Sequence, residues 1–367
     1  MALRLGRCRQ KPRRRTRTFV SLTGPEGNIG DALIRRATLR WSLGTSDELI
    51  VYAGDSPDVW LRQLGVPADA VVLRSKRSVP KWLWMIAMSP GRPALVFEAG
   101  EVPLHKGNGL RELVFLLETV LVRLKRGVVV RPPRGIRAAT EPSTWLHARA
   151  AKWSQVALWR DAASAALVGG SDVVPDIGFG ETPRAPLRDG ERDELLVSLR
   201  GARPLPDAGW LQAVRDTADA EGLRIRTVVQ VREDEERARE LASALGADFD
   251  AWGDTDAVAH EARLRERYSR ARLVISDRMH VLVLAAIDGA VPAELVPSPT
   301  RKITEAFSTV GIEGISLDSA DADARQMRDF LHARLADTST EQRIGEARRR
   351  IDELEHQVRA TIAAARG

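Results

Sequence analysis

The chain alternates two patterns of apolar residues. Short runs are apolar at almost every position: residues 19–22, 48–53, 70–73, 94–98 and 127–131. Strands covered on both faces read this way. Between them, apolar residues recur every three or four positions, as Ile29, Leu33, Ala37 and Trp41 do, and again over 58–64 and 109–124. That period predicts helices. A segment rich in Pro, Gly and charge, 184–193, interrupts the alternation. A second set follows it, with strands predicted over 195–199, 224–229, 273–276 and 291–296. The helices of this set are predicted over 209–221, 235–245, 258–270 and 279–288. Repeated strand–helix alternation predicts parallel sheets with helices on both faces. The expected fold is therefore α/β, with two Rossmann-like domains over 18–183 and 194–335 joined by the linker 184–193.

The last segment, 336–367, has a different pattern. Ile344, Ala347, Ile351, Leu354 and Val358 step by three and four with charges between them. One amphipathic helix is predicted, packed on the body or crossing back to the first domain. A homodimerising coiled coil is the alternative, on about two heptads of stripe. The longest apolar stretch, 110–124, is broken by Glu112, Glu118 and Arg123 and falls short of the roughly 20 residues that span a bilayer. A buried helix is expected there.

Composition narrows the function. With 367 residues, 44% apolar and 29% charged, the chain can fill two globular cores. The net charge of +6 comes from an arm, residues 1–17, that holds eight Arg and Lys and no acid. Without that arm acids slightly outnumber bases, so a nucleic-acid stripe on the folded body is not expected. The arm is expected to be disordered. It has no apolar core of a secretory signal. The single cysteine, Cys8, excludes an internal disulfide and fits a reducing cytoplasm. Residues 76–88 mix Lys76, Arg77 and Lys81 with Trp82, Trp84, Met85 and Ile86. These either pack as a core helix or rest on an anionic membrane surface, where a lipid-linked acceptor would be gripped.

Candidate chemistry falls at predicted strand ends. Asn28, Gly30 and Asp31 lie in a strand-to-helix loop, where backbone N–H groups and the helix dipole meet ligands. Asp31 suits a sugar hydroxyl better than an anion; the plain alternative is that Asn28 and Asp31 cap the helix. Arg278 and His280 follow the strand 273–276. Arg278 offers a planar fork for carboxylate or phosphate, and His280 can pass a proton near neutral pH. Arg200 and Lys302 also follow strands. Arg160 and Asp161 form either site residues or a helix-start ion pair. Together these residues predict a cleft for a small, highly charged anion. No metal-ligand spacing, Gly-x-Gly-x-x-Gly fingerprint or Gly-x-Ser-x-Gly motif occurs. A nicotinamide-dependent dehydrogenase is therefore disfavoured, and no metal or cofactor is expected.

At these residues the chain resembles the polysaccharide pyruvyl transferase family. The resemblance rests on Asn28-x-Gly30-Asp31, on Arg160-Asp161-x-x-Ser164, and on the segment Val174-Pro175-Asp176-Ile177-Gly178-Phe179. It continues through the strand end Leu199-Arg200 and through Ser276-x-Arg278-x-His280 followed by Gly289, Pro292 and Lys302. It departs where the family is Gly-rich, at Glu98-Ala99-Gly100-Glu101 and at Arg131-Pro132-Pro133-Arg134-Gly135. The resemblance implies an architecture similar to GT-B glycosyltransferases, with phosphoenolpyruvate (PEP) in the interdomain cleft. It implies transfer of a pyruvyl ketal, with release of phosphate, to a sugar of a cell-surface polysaccharide, glycolipid or lipid-linked precursor. The acceptor would lie on the N-terminal domain and PEP on the C-terminal one. In the implied roles His280 is the general acid and Asp31 orients or deprotonates the acceptor. Arg278, Arg200, Lys302 and Arg160 bind the anionic groups, beside Asn28 and Gly30. A sugar-nucleotide glycosyltransferase of similar architecture is the main alternative. A non-catalytic carbohydrate-binding or scaffold protein is another.

Overall fold

A computed structural model describes residues 15–184 and 192–365. Most of the basic arm, with Cys8, and the middle of the predicted linker lie outside the described residues.

The first half runs β1 (Arg17–Ser21), α1 (Ile29–Ser42), β2 (Glu48–Gly54), α2 (Asp58–Leu64), β3 (Val71–Arg74), α3 (Val79–Ala87) and β4 (Ala94–Val96). It continues with β5 (Gly100–Pro103), α4 (Gly109–Leu124), β6 (Val128–Arg137), α5 (Ser143–Lys152), β7 (Val156–Trp159) and α6 (Ala162–Leu167). Its strands form one parallel sheet in the order β3-β2-β1-β4-β6-β5, with β7 also paired to β6.

The second half runs β8 (Glu194–Ser198), α7 (Ala208–Glu221), β9 (Arg224–Val228), α8 (Glu235–Leu245), β10 (Asp248–Asp250), α9 (Ala257–Arg270) and β11 (Ala271–Ser276). Then come α10 (Met279–Ile287), β12 (Val291–Val296), α11 (Arg301–Ser308), β13 (Ser316–Asp318), α12 (Ala324–Leu335) and α13 (Thr340–Ala364). Its six parallel strands are ordered β10-β9-β8-β11-β12-β13. The reversal of order beside β8 is a topological switch point, where open α/β sheets leave a crevice at their carboxyl ends.

Helices cover both faces of each sheet, so each sheet has two apolar clusters. The tail helix joins them. On α13, Ile344 and Ala347 pack into the second half's core, while Ile351, Val358 and Ile362 pack into the first half's. Arg40 Nε pairs with Glu355 at 3.1 Å to hold its far end. The apolar stripe is consumed inside the molecule, which corrects the coiled-coil alternative.

α4 corrects the expectation of a buried helix. Its inward residues are Glu112, Glu118, Thr119 and Val122, while several leucines point outward. The cause lies on β6, which runs past Pro132 and Pro133 and places Arg131 and Arg134 beneath α4, both fully buried. Arg131 stacks 4.0 Å from the Phe97 ring centroid. Burial pushes Arg131 down to about 9 and Glu118 up to about 8. Glu118 accepts a hydrogen bond from Trp82 Nε1 at 2.9 Å, and Glu112 pairs with His147 Nδ1 at 2.8 Å. Buried charges need such partners, so the acidic face of α4 turns in and its leucines turn out.

Candidate active site at the interdomain cleft

The loop after β1 brings the two halves together. Its residue Asn28 bridges Val231 in an antiparallel manner. Ile29 N donates to Gln230 O at 3.3 Å, and Arg232 N donates to Gly27 O at 2.8 Å. α1 of the first half therefore starts against the loop after β9 of the second. Asn28 caps α1, its Oδ1 accepting from Asp31 N at 3.2 Å. Its Nδ2 also donates to Asp31 Oδ2 at 3.0 Å, so capping and the orientation of Asp31 come from one residue. Gly30 faces the start of α10. A Cβ on it would lie 2.8 Å from His280 Cβ and 2.9 Å from His280 Nδ1. Only a residue without a side chain permits that approach.

This seam bounds a cavity of about 300 Å³. All eight residues singled out in the sequence line it: Asn28, Gly30, Asp31, Arg160, Arg200, Arg278, His280 and Lys302. Glu101, Arg137 and Gln230 line it too. Its five cations sit at or after strand carboxyl ends: Arg137 ends β6, and Arg160, Arg200, Arg278 and Lys302 follow β7, β8, β11 and β12, while Glu101 lies near the start of β5. The cationic groups come from both halves, Arg137 and Arg160 from the first and Arg200, Arg278 and Lys302 from the second.

Arg160 is the most enclosed of these cations. Its Nη2 contacts Glu101 Oε1 at 2.8 Å and its Nη1 contacts Asp176 Oδ2 at 3.3 Å. Gly135 makes room, since a Cβ there would stand 2.4 Å from Arg160 Nε. Asp161 is not its partner. Asp161 caps α6 through Ser164 N at 2.6 Å, and Ser164 Oγ accepts from Ile136 N at 2.7 Å. The helix-start ion pair is thus replaced by a cap that fixes the backbone behind Arg160.

Arg278 is already engaged. Its Nε and Nη2 grip the Asp234 carboxylate, Nη2 at 2.8 Å. The fork expected to be open is held in place by this buried acid, and Nη1 is left for the cavity. Arg200 is set by buried Asp277, which accepts its backbone N–H at 3.0 Å and faces its Nε at 3.6 Å.

His280 Nε2 stands 3.7 Å from Asp176 Oδ1, an ion-pair rather than a hydrogen-bond separation, and is buried with no hydrogen-bond partner. Burial alone would raise the Asp176 carboxyl. The facing His280, Arg160 and the Gly178 N–H outweigh it and hold Asp176 well below the usual carboxylate range. An ionised acid therefore stands behind the imidazole.

Glu101 joins three cations. Lys302 Nζ lies 2.6 Å from its Oε1, Arg160 shares that oxygen, and Arg137 holds Oε2. Burial, then Arg160 and Arg137, push Lys302 down to about 7. Asp176 opposes that push. A small dianion placed among these cations would add to that opposition. Binding of inorganic phosphate near pH 8 is thus expected to take up about one proton, because Lys302 is partly neutral when free and charged when bound. The binding enthalpy should track the ionisation enthalpy of the buffer in the wild type and not in Lys302→Met. Undiminished uptake in the variant contradicts this assignment.

Glu101, Arg137 and Asp176 were not among the residues picked from the sequence. Asp176 lay in the quoted segment 174–179, and Glu101 at the point of departure from the family pattern. Arg137 lay past the strand end predicted at 131.

No family model and no curated protein matches the sequence. Solved structures do match the fold. A putative UDP-N-acetylglucosamine 2-epimerase from Listeria monocytogenes aligns over 94% of this chain and 96% of its own, with a TM-score of 0.59 and 12% identity. The UDP-GlcNAc 2-epimerase from Neisseria meningitidis, solved with UDP-GlcNAc, aligns over 93% and 100%, at 0.56 and 11%. A glycosyltransferase of kitacinnamycin aligns over 97% and 100%, at 0.53 and 12%.

The chain has the GT-B architecture. At such identities the likeness is one of fold alone, and function rests on the site.

Proposed function

We propose that the chain is an enzyme of glycan assembly that transfers the pyruvyl group of PEP to two hydroxyls of a sugar. The observation that carries this reading is the cleft's charge. Five cationic side chains from both halves line a small cavity against two carboxylates, Asp31 and Glu101. An unpartnered imidazole backed by an ionised acid stands among them. PEP carries a phosphate and a carboxylate, about three negative charges at neutral pH. A cavity of about 300 Å³ suits such a compact ion. Its apolar lining is limited to Ile34, Val231 and Met279, with no aromatic face for a nucleobase among the described residues.

In the proposed reaction, His280 protonates the PEP methylene carbon, leaving C2 electrophilic. A sugar hydroxyl adds its oxygen to C2 as Asp31 takes its proton. A second hydroxyl then attacks C2, the C2–O bond to phosphate breaks, and that hydroxyl's proton leaves with phosphate. Arg160, Arg200, Arg278 and Lys302 hold the carboxylate and phosphate as charge develops, a role typically worth a few kcal/mol per group. Asp176 positions His280, and Asp234 and Asp277 aim Arg278 and Arg200.

The solved neighbours favour a second reading, transfer or epimerisation of a sugar nucleotide. One is named as bound to UDP-GlcNAc and another as a glycosyltransferase. Phosphate release separates the two. On the first reading, PEP with a panel of hexosyl and N-acetylhexosaminyl glycosides yields inorganic phosphate and a product heavier by a pyruvyl ketal. Consumption of UDP-hexoses, with PEP untouched across the panel, would establish the second.

A further inference from the structure

The outer face of the first half is apolar where water should meet it. On α4, Leu110, Leu113, Leu117 and Leu124 are 75%, 50%, 43% and 76% exposed. Their spacing puts them along one side of the helix. Trp84 on α3 and Met88 just past its end are 62% and 61% exposed, and on α5 Trp145 is 53% exposed. α4 packs against both α3 and α5, so the three patches make one surface. Single exposed leucines need no explanation, but a contiguous stripe marks an interaction site. The polar side of α4 is fixed inward by Arg131 and Arg134, so the stripe cannot be buried by rolling the helix.

Charge decides the occupant. From 75 to 126 every exposed charged side chain is basic, while Glu98, Glu101, Glu112 and Glu118 are buried or half-buried. Around α5 the exposed Arg149 and Lys152 outnumber one exposed acid, Glu141, which accepts from Trp145 N at 3.2 Å. Lys76, Arg77 and Lys81 flank Trp84, and Arg123 flanks Leu124. Arg149 lies 5.4 Å from the Trp145 ring centroid. A second copy would meet this face with the same sign of charge. An anionic bilayer answers both features, with hydrocarbon for the leucines and phosphates for the cations. Indole rings belong at that boundary. No helix among the described residues is long and apolar enough to cross a membrane, so the contact is peripheral.

We propose that the α3–α4–α5 face docks on an anionic phospholipid membrane. The face begins near β5 of the cleft, because Arg111 Nη2, next to Leu110, donates to Pro103 O at 3.0 Å, two residues past Glu101. If the proposed function holds, this sets the cleft close to a lipid-linked acceptor; the docking itself does not depend on that reading.

Flotation of the full chain with vesicles tests it. The protein should float with vesicles of phosphatidylglycerol and phosphatidylcholine in equal parts, and not with phosphatidylcholine alone. The triple variant Trp84→Gln, Leu113→Gln, Leu117→Gln should lose binding about tenfold or more at an unchanged thermal midpoint, since its residues are exposed. The basic arm is intact in that variant, so the loss reports on the face. Absent flotation, or flotation that survives the variant, overturns the proposal. A wild-type dimer that the variant dissolves also overturns it, in favour of a second copy as the occupant. No turnover is measured, so this failure is separate from failure of the donor assignment.

Discussion

His280→Gln is expected to lower turnover of PEP and acceptor by about 10²–10⁴-fold while leaving the KM for PEP nearly unchanged. The imidazole sits in the first turn of α10, its buried Nε2 facing Asp176 at 3.7 Å with no hydrogen-bond partner. That acid is held ionised across the neutral range. Glutamine keeps the volume and a polar end but cannot donate a proton to carbon. The donor's charges are held by other residues, so binding should survive. Asp176→Asn supplies the complementary readout. It removes the acid that faces Nε2 at 3.7 Å, so turnover should fall while the KM for PEP stays nearly unchanged. Full turnover by His280→Gln would end its assignment as the acid.

Gly30→Ala should cost about 10²-fold in kcat/KM, the scale set by misplacing reacting groups by about 1 Å. The added methyl would meet His280 Cβ at 2.8 Å. Neither side can yield freely. The loop before Gly30 is bonded across the seam to Gln230 and Arg232, and α10 is buried along almost its whole length. Relief comes only by opening the cleft or turning the imidazole away from Asp176. Gly345→Ala on α13 is the control, since nothing lies within 4 Å of the added atom. It should leave activity unchanged and stabilise the fold by roughly 0.5–1 kcal/mol. Equal activity of Gly30→Ala and wild type would mean that the seam is not as close in the working enzyme.

Periodicity made the two sheets and their order of strands and helices legible, because each core strand is a continuous apolar run. It missed strands such as β5, whose Glu and Pro break the run. It ended β6 at 131, since Pro132 and Pro133 read as a stop, and so hid Arg137. The candidate cleft was legible because chemistry at strand carboxyl ends converges in folds of this kind. The acids that aim those groups were not, since Asp176, Asp234 and Asp277 acquire their roles only through contacts distant in sequence. α4 shows the same limit. Fifteen mostly apolar residues read as core, and only the buried arginines of β6 reverse which side faces in.

Calorimetric titration of PEP and of UDP-GlcNAc into the wild type and Lys302→Met tests the central claim most directly. The account predicts saturable PEP binding at one site, weakened at least tenfold in the variant, and no competing heat from UDP-GlcNAc. UDP-GlcNAc binding with no PEP binding, even when candidate glycosides are present, would contradict it and place the chain with the enzymes that act on sugar nucleotides.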